Sequence, residues 1–193
     1  PYAVADGPLE RVRTLADELE VPIHIHLHET RDEVVASLRD HGERPLARLD
    51  RLGLVGPGLV AVHMTQLEEP EIERLAAAGA HVVHCPESNL KLASGFCPAA
   101  RLLAAGVNVA LGTDGAASNN DLNLLGEMRS AALLGKVSGR RLDALCTPDG
   151  RRVAFSSDRD GGWQIPKADQ KLFKVGERGA YQKAGMRAEP FSD

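Results

Sequence analysis

Seven consecutive residues, Ile23-His24-Ile25-His26-Leu27-His28-Glu29, put three imidazoles and a carboxylate at the end of a strand-like run. Strand alternation sends His24, His26 and His28 to one side and Ile23, Ile25 and Leu27 to the other. Imidazoles facing inward, with a glutamate where the strand runs out, are suited to holding a metal or to acid/base work. The ending recurs along the chain. Leu59-Val60-Ala61-Val62 stops at His63, Ala80-His81-Val82-Val83 at His84, and Val107-Asn108-Val109-Ala110-Leu111 runs through Gly112-Thr113 into Asp114. Taken singly, a strand-end histidine is more often a hydrogen-bonded structural residue, and an aspartate after a strand a turn former or helix cap. Four successive strands ending this way point to one shared site built from His26, Glu29, His63, His84 and Asp114. A mixed imidazole and carboxylate set without thiolate suits Zn²⁺, with Fe²⁺ or Mn²⁺ also permitted. One ion per complete site would leave a position for water whose pKa it lowers towards neutrality. A zinc deaminase of the cytidine type is excluded, because it needs His-x-Glu followed by Pro-Cys-x-x-Cys.

Helices must place these strand ends. Leu9, Val12, Leu15, Ala16 and Leu19 recur at three and four and predict an amphipathic helix over 6–20 with Asp6 as N-cap. Strand 22–27 is followed by a helix over 31–39, where Thr30 and Glu33 have capping-box spacing, and by a short helix over 45–52. Strand 59–63 leads to a helix over 69–78 stopped by Gly79. Strand 80–84 leads to a helix over 98–105 closed by Gly106. Strand 107–111 leads to a helix over 121–134, with Asp121 as N-cap and Leu124, Leu125, Met128, Ala131 and Ala132 on its apolar side. Alternating helices and apolar strands predict an α/β fold with a parallel sheet covered on both faces. Polar groups at every strand end favour a (β/α)₈ barrel, which collects its chemistry there, over an open doubly wound sheet, which concentrates it at one switch point. Four strands make half a barrel.

The chain has 193 residues, is 43% hydrophobic and carries a net charge of −4. That suits a globular core and gives no electrostatic reason to expect nucleic acid or an anionic membrane as partner. No apolar run approaches the roughly 18–20 residues of a membrane span and no signal-peptide pattern opens the chain, so the expected location is the cytoplasm. Cys85, Cys97 and Cys146 have no CxxC spacing and read as small buried hydrophobes. His41 and His81 read as surface or helix-facing. The chain opens on Pro1 rather than Met, which reads as a truncated start.

Longer strings then become specific. His26-Leu27-His28-Glu29-Thr30, Val62-His63, His84-Cys85-Pro86-Glu87-Ser88-Asn89-Leu90-Lys91-Leu92 and Leu111-Gly112-Thr113-Asp114-Gly115-Ala116-Ala117-Ser118-Asn119-Asn120 resemble the amidohydrolase superfamily, in its TRZ/ATZ branch, over about residues 1–145. The resemblance implies a partial TIM barrel, about strands five to eight with their helices. It makes His26 and Asp114 metal ligands, His63 the group that hydrogen-bonds the attacking hydroxide, Glu29 the proton donor to a heterocycle nitrogen and Asp114 the acceptor of the water's proton. Glu29, His84 and Asp114 would meet the substrate, His84 in a supporting role, with His24 and His28 packing beside the ligand. The implied reaction is hydrolytic deamination of a purine nucleoside derivative of the 5-methylthioadenosine or S-adenosylhomocysteine type. Related branches displace chloride or alkylamine from triazines with the same groups.

The superfamily's first-strand His-x-His ligand pair has no counterpart here, nor has a histidine expected just ahead of Pro1-Tyr2. The chain thus reads as the C-terminal half of a catalytic barrel over 1–145, with impaired activity in isolation. The alternatives are a triazine-type chlorohydrolase, another aminohydrolase, or a non-catalytic association module whose half-barrel edges pair with another copy or with a missing half. Residues 146–193 change character. The string from Thr147 through Pro148-Asp149-Gly150 to Gly161 has a hairpin pattern and resembles one repeat of a TolB-like, WD40-like propeller, and 166–193 reads as loosely packed. A propeller-type binding protein is a further alternative.

Overall fold

The computed structural model describes residues 1–139 and two short strands, Arg152–Val153 and Phe173–Lys174. Four strands, β1 (Ile23–Leu27), β2 (Leu59–His63), β3 (His81–His84) and β4 (Asn108–Leu111), form one sheet in the order β1-β2-β3-β4. Every pairing is parallel, with Leu27 opposite His63 and His84 opposite Leu111, so all four C-terminal ends meet at one edge of the molecule. Between the strands run α1 (Asp6–Leu19), α2 (Arg31–His41), α3 (Pro45–Arg51), α4 (Glu69–Ala78), α5 (Pro86–Lys91), α6 (Ala99–Ala104) and α7 (Leu124–Gly139). No helix among the described residues is long and apolar enough to cross a membrane.

The main core lies between the sheet and this helical layer, where Leu27, Leu49, Leu59, Ile72, Leu75, Val82, Leu102 and Val109 interlock. The other face carries only a small cluster, Val60, Val62, Val83 and Cys85. The expected two-sided cover is therefore thick on one side and thin on the other. Cys85 and Cys97 are buried as expected, and burial pushes both thiols up, Cys97 to about 12, which leaves them unreactive at neutral pH. Cys146 lies outside the described residues.

Local chemistry accounts for several departures from the expected elements. Asp6 is not the N-cap of α1. Ala5 holds that position, and the Asp6 carboxylate sits in the first turn, bonded to Arg48 and Arg51 of α3. Of the predicted apolar stripe on α1 only Leu9 is buried, while Val12, Leu15 and Leu19 face outward. The Thr30 hydroxyl accepts from the Glu33 amide as predicted. The Glu33 carboxylate, however, reaches past the cap to accept from the amides of His28 (3.2 Å) and Glu29 (2.7 Å), which stiffens the turn leaving β1. In α4 the capping box closes between Glu68 and Glu71, and Gly79 ends the helix in the left-handed conformation that glycine adopts without strain. α7 starts at Leu124 rather than Asp121, because the Asn123 carboxamide accepts from the amides of Leu125 and Gly126 and ends the loop there. In the tail, β5 (Arg152–Val153) pairs antiparallel with β6 (Phe173–Lys174). The strand falls in the predicted β run, but its partner comes from beyond the 147–161 segment, and the rest of that segment lies outside the described residues.

Two buried histidines make acid stability predictable. Burial lowers the pKa of His28 and of His84 from 6.5 to about 4. Between those values the unfolded chain holds a proton the folded chain lacks, so stability falls as pH drops through this window. Buried Glu127 moves the opposite way, pushed up to about 7 by desolvation, so it favours the folded state on acidification over a similar span. Two histidines against one carboxyl leave a net loss of about 1 kcal/mol per pH unit. The expected result is a clearly lower urea midpoint at pH 4.5 than at pH 6.5, with His84→Phe flattening the difference. A midpoint that is level or rises on acidification would contradict this placement of charges.

Candidate metal and acid/base site

β1, β2 and the loop after β4 bring His26, His63 and Asp114 together at the C-terminal edge of the sheet. One ligand atom from each lies within 4.8 Å of the others. His63 Nε2 is 3.3 Å from His26 Nδ1, and His26 Nε2 is 3.8 Å from Asp114 Oδ1. Glu29 Oε2 stands 3.9 Å from both His26 Nδ1 and His63 Nε2. The backbone is held in sparsely populated geometry here. His28, His63, Met64 and Asp114 all have φ between 51° and 74°, which costs non-glycine residues energy and recurs where a fold aims side chains at a site.

Hydrogen bonding fixes the proton positions. Asn89 Oδ1 lies 2.8 Å from His63 Nδ1 and can only accept, so neutral His63 carries its proton on Nδ1 and turns the Nε2 lone pair to the site. Burial, ahead of its charged and hydrogen-bonding neighbours, lowers the His63 pKa and keeps the ring neutral. His26 Nδ1–H then donates to His63 Nε2, which leaves the His26 Nε2 lone pair facing Asp114 Oδ1 across 3.8 Å. Two Lewis bases aimed at each other at that separation are what a cation about 2.0–2.2 Å from each requires. The donor set fits Zn²⁺.

Asp114 is prepared as an anion. Burial alone would raise its pKa, but hydrogen bonds from the Ser118 and Ser88 hydroxyls and the Gly115 amide outweigh that and hold it below the usual value. Both hydroxyls donate to Oδ2, so Oδ1 is the oxygen left to face His26. A cavity of about 490 Å³ opens beside these groups, lined by His24, His26, Val62, Val83 and Asp114 among others.

Two of the expected participants are elsewhere. His28 does not share the face of His24 and His26. Its left-handed backbone turns the ring into the helical layer, where Nε2 accepts from the Leu46 amide at 3.1 Å and lies 3.3 Å from Glu71. His84, expected to meet the substrate, faces a small separate cavity with Asn89, Phe96 and Cys97 under α6 and α7, because the strand alternation that brings Val83 and Cys85 to the site turns His84 away. His24 lines the site cavity as expected. His81 is bonded to Asn108 at the other end of its strand.

Ser88, Asn89, Ser118, Asn119 and Glu127 carry no role in the sequence-based expectations. The first four lie inside the strings that carried the resemblance, and α5, which bears Ser88 and Asn89, was not anticipated as a helix. Glu127 had a signal of its own: it sits on the inward stripe of α7 with Leu124, Met128 and Ala131, and a carboxylate on such a stripe needs partners.

Parallel strands whose C-terminal ends gather imidazoles and carboxylates around a cation-sized gap define an α/β protein with a candidate metal site. The chain belongs to the amidohydrolase family, whose sequence model matches residues 1–149. It is 58% identical over 145 residues to the 5-methylthioadenosine/S-adenosylhomocysteine deaminase of Saccharophagus degradans, covering 75% of this chain and 32% of that protein. It is 43% identical over 187 residues to the enzyme of the same name from Desulforudis audaxviator, covering 92% of this chain and 43% of the other. The second alignment therefore runs past Leu145 into the tail. Among solved structures, an adenosine deaminase from Xanthomonas campestris with bound zinc superposes with a TM-score of 0.74 at 58% identity, over 78% of this chain and 34% of that one. Zinc-complexed atrazine chlorohydrolase from Arthrobacter aurescens does so with 0.68 at 28%, over 71% and 30%. The chain thus spans about a third to two fifths of the length of these relatives.

Proposed function

We propose that residues 1–145 form the C-terminal half of an amidohydrolase barrel, strands five to eight with their helices, and supply the water-activating and proton-transfer part of a purine nucleoside deaminase site. The observation that carries this is the facing pair, His26 Nε2 and Asp114 Oδ1, with Glu29 3.9 Å from His26 Nδ1 and His63 4.0 Å from Asp114 Oδ2. A zinc ion held by His26 and Asp114 would lower the pKa of a coordinated water towards neutrality. Asp114, an anion braced by Ser88 and Ser118, is placed to take a proton from that water and pass it to departing ammonia. With water in the site, His63 Nε2, kept clear of its own proton by Asn89, would accept from that water in place of the His26 N–H and orient it. Glu29, whose backbone is pinned by Glu33 and by the Thr65 hydroxyl, is placed to give a proton to the ring nitrogen of the heterocycle. Substrates of the 5-methylthioadenosine, S-adenosylhomocysteine or 5′-deoxyadenosine kind are favoured over triazines, because identity is 58% and 50% with proteins named for the nucleosides and 28% with the triazine enzyme.

The resemblance places two further metal ligands on a first barrel strand that residues 1–145 do not include, so these residues alone hold zinc with two ligands and turn over slowly. Exposed Val12, Leu15 and Leu19 at one side of the sheet and Leu125 and Leu133 at the other are the surfaces through which the missing half, or a second copy, would close the layer. The test is a graft. Residues 1–145 replace the aligned segment of the Saccharophagus deaminase, and ammonia release from 5-methylthioadenosine is followed with zinc present. The chimera is expected to deaminate at a rate within about tenfold of the parent, and the 193-residue chain alone at least about a hundredfold more slowly. A folded, zinc-replete chimera without deaminase activity would sink the reading.

A further inference from the structure

Behind the site lies a second polar cluster with no share in the chemistry described above. Glu127, fully buried on α7, accepts two hydrogen bonds from two different elements: Oε2 from the Glu87 amide at 3.1 Å, and Oε1 from Asn119 Nδ2 at 2.5 Å. Glu87 lies in the first turn of α5, and the next two residues are Ser88, bonded to Asp114, and Asn89, bonded to His63. Asn119 is just as close to the site. It follows Ser118, the other hydroxyl on Asp114, and its own Oδ1 accepts from the amides of Asp121 and Leu122, which sets the path of the loop. A single carboxylate therefore ties the α5 turn to the loop after β4, and these two segments carry Ser88 and Ser118, which bond Asp114, and Asn89, which bonds His63. Ser130, one turn further along α7, donates to the Glu87 carboxylate and adds a second tie between α7 and α5.

Resting on the proposed site, we infer that Glu127 is a positioning residue: through the Glu87 amide and Asn119 it holds Asn89 where it fixes the proton on His63 Nδ1 and, in turn, on His26 Nδ1, and holds the two serines where they bond Asp114. Among the described residues the Asn89 side chain bonds through Oδ1 to the His63 ring, and its Nδ2 is buried without a hydrogen-bond partner. If the α5 turn slips, Oδ1 leaves His63, the ring is free to take the Nε2–H form, and a proton then stands where a lone pair has to face the water. The His26 ring loses its acceptor in the same event. The effect of Glu127 thus reaches the cation gap through a relay of hydrogen bonds.

An amide swap isolates this role from mere filling of space. In Glu127→Gln one acceptor becomes a donor, which opposes either the Glu87 N–H or the Asn119 NH₂. In Asn119→Asp two carboxylates meet. When the two substitutions are combined, the introduced carboxamide would donate to the introduced carboxylate and still accept from the Glu87 amide, so the tie is restored with its polarity reversed. The measurements are the ring ¹⁵N shifts of His63 and His26 in the 193-residue chain at pH 8, and the affinity for Zn²⁺ alone by competition with a chelator; neither needs deaminase activity. Parent protein is expected to show the Nδ1–H form at both rings. Glu127→Gln is expected to shift His63 towards the Nε2–H form and to weaken zinc binding by about tenfold, the range seen when support for a ligand is lost. The double variant is expected to return both readings to near parental values, and Asn89→Leu to reproduce the tautomer shift with Glu127 intact. The inference is overturned by unchanged ¹⁵N shifts in Glu127→Gln or Asn89→Leu, or by a double variant that is no better folded and binds zinc no better than Glu127→Gln. A chimera that fails to deaminate while these shifts follow the prediction would count against the proposed reaction and leave the positioning role standing.

Discussion

Asparagine at position 114 is expected to lower zinc affinity by about 100-fold or more while leaving the chain folded. Asp114 is the one anion among the three donors, and its two oxygens have separate duties. Oδ2 takes the hydroxyl protons of Ser88 and Ser118, and Oδ1 faces His26 Nε2 at 3.8 Å. An amide keeps both serine bonds only by setting its oxygen in the Oδ2 position. Its NH₂ then points at the imidazole lone pair, and the cation gap becomes an ordinary donor–acceptor contact. Loss of support for a ligand costs about 10–100-fold in metal affinity, and a change that inverts a donor atom belongs at or beyond the upper end. Because the hydrogen bonds that hold the carboxylate below its usual pKa survive the change, the thermal midpoint should move little. Chelator competition and thermal unfolding on the same preparation separate the two effects. In the grafted chimera Asp114→Asn should remove deamination as well. Tight, stoichiometric zinc in the variant would mean that the ion binds elsewhere.

The parts of this site that were legible in the sequence are those set by periodicity alone. Alternation in β1 put His26 on the inner face. His63 and Asp114 were placed by where their apolar runs stop, and the parallel order of the four strands followed from the helices between them. Residues whose direction depends on a single backbone dihedral were not legible in this way. His28 continues the alternating pattern, yet one residue at φ 51° sends its ring to the opposite layer, where an amide of α3 waits for it. Asp6 looked like a cap because nothing local reveals Arg48, 42 residues away, which claims its carboxylate. The stripe on α1 is apolar, as its spacing predicts, yet mostly exposed, since periodicity reports which face wants a partner and not whether the described residues contain one. Glu127 lay in plain view on an apolar stripe. The physical rule that a buried carboxylate must find donors would have marked it, but only the fold says that those donors hold the site's own supports.

Valine in place of Gly112 is the second large effect, and it tests how the strand ends are registered. A Cβ at Gly112 would stand 2.7 Å from Val83 Cγ1 and 3.3 Å from Cys85 Sγ, inside the small cluster on the inner face. Neither neighbour is a flexible side chain tip: Val83 is β-branched and paired in register with Ala110, and Cys85 is buried at the start of the α5 turn. The Gly112 amide also donates to the His84 carbonyl at 3.0 Å, which continues the β3–β4 ladder one residue past Leu111. Relief of the clash therefore has to come from moving the chain, and the chain that moves leads two residues later to Asp114 at φ 59° and, across the ladder, to Ser88 and Asn89. Overpacking of a close-fitted core costs about 1–3 kcal/mol, and a branched side chain forced against two buried neighbours belongs near 3 kcal/mol. Gly112→Ala should cost less but still weaken zinc binding, because even one methyl parts the two strand ends that share the site. Gly115→Ala is the control. It lies three residues on in the same loop, has nothing within 4 Å of its added Cβ, and keeps the amide that supports Asp114. Urea unfolding and zinc titration should therefore rank Gly115→Ala near the parent, Gly112→Ala below it and Gly112→Val lowest in both measurements. If Gly112→Val unfolds at the parental urea concentration, the close approach of β3 and β4 that aims Asp114 is not what the packing of Val83 and Cys85 requires.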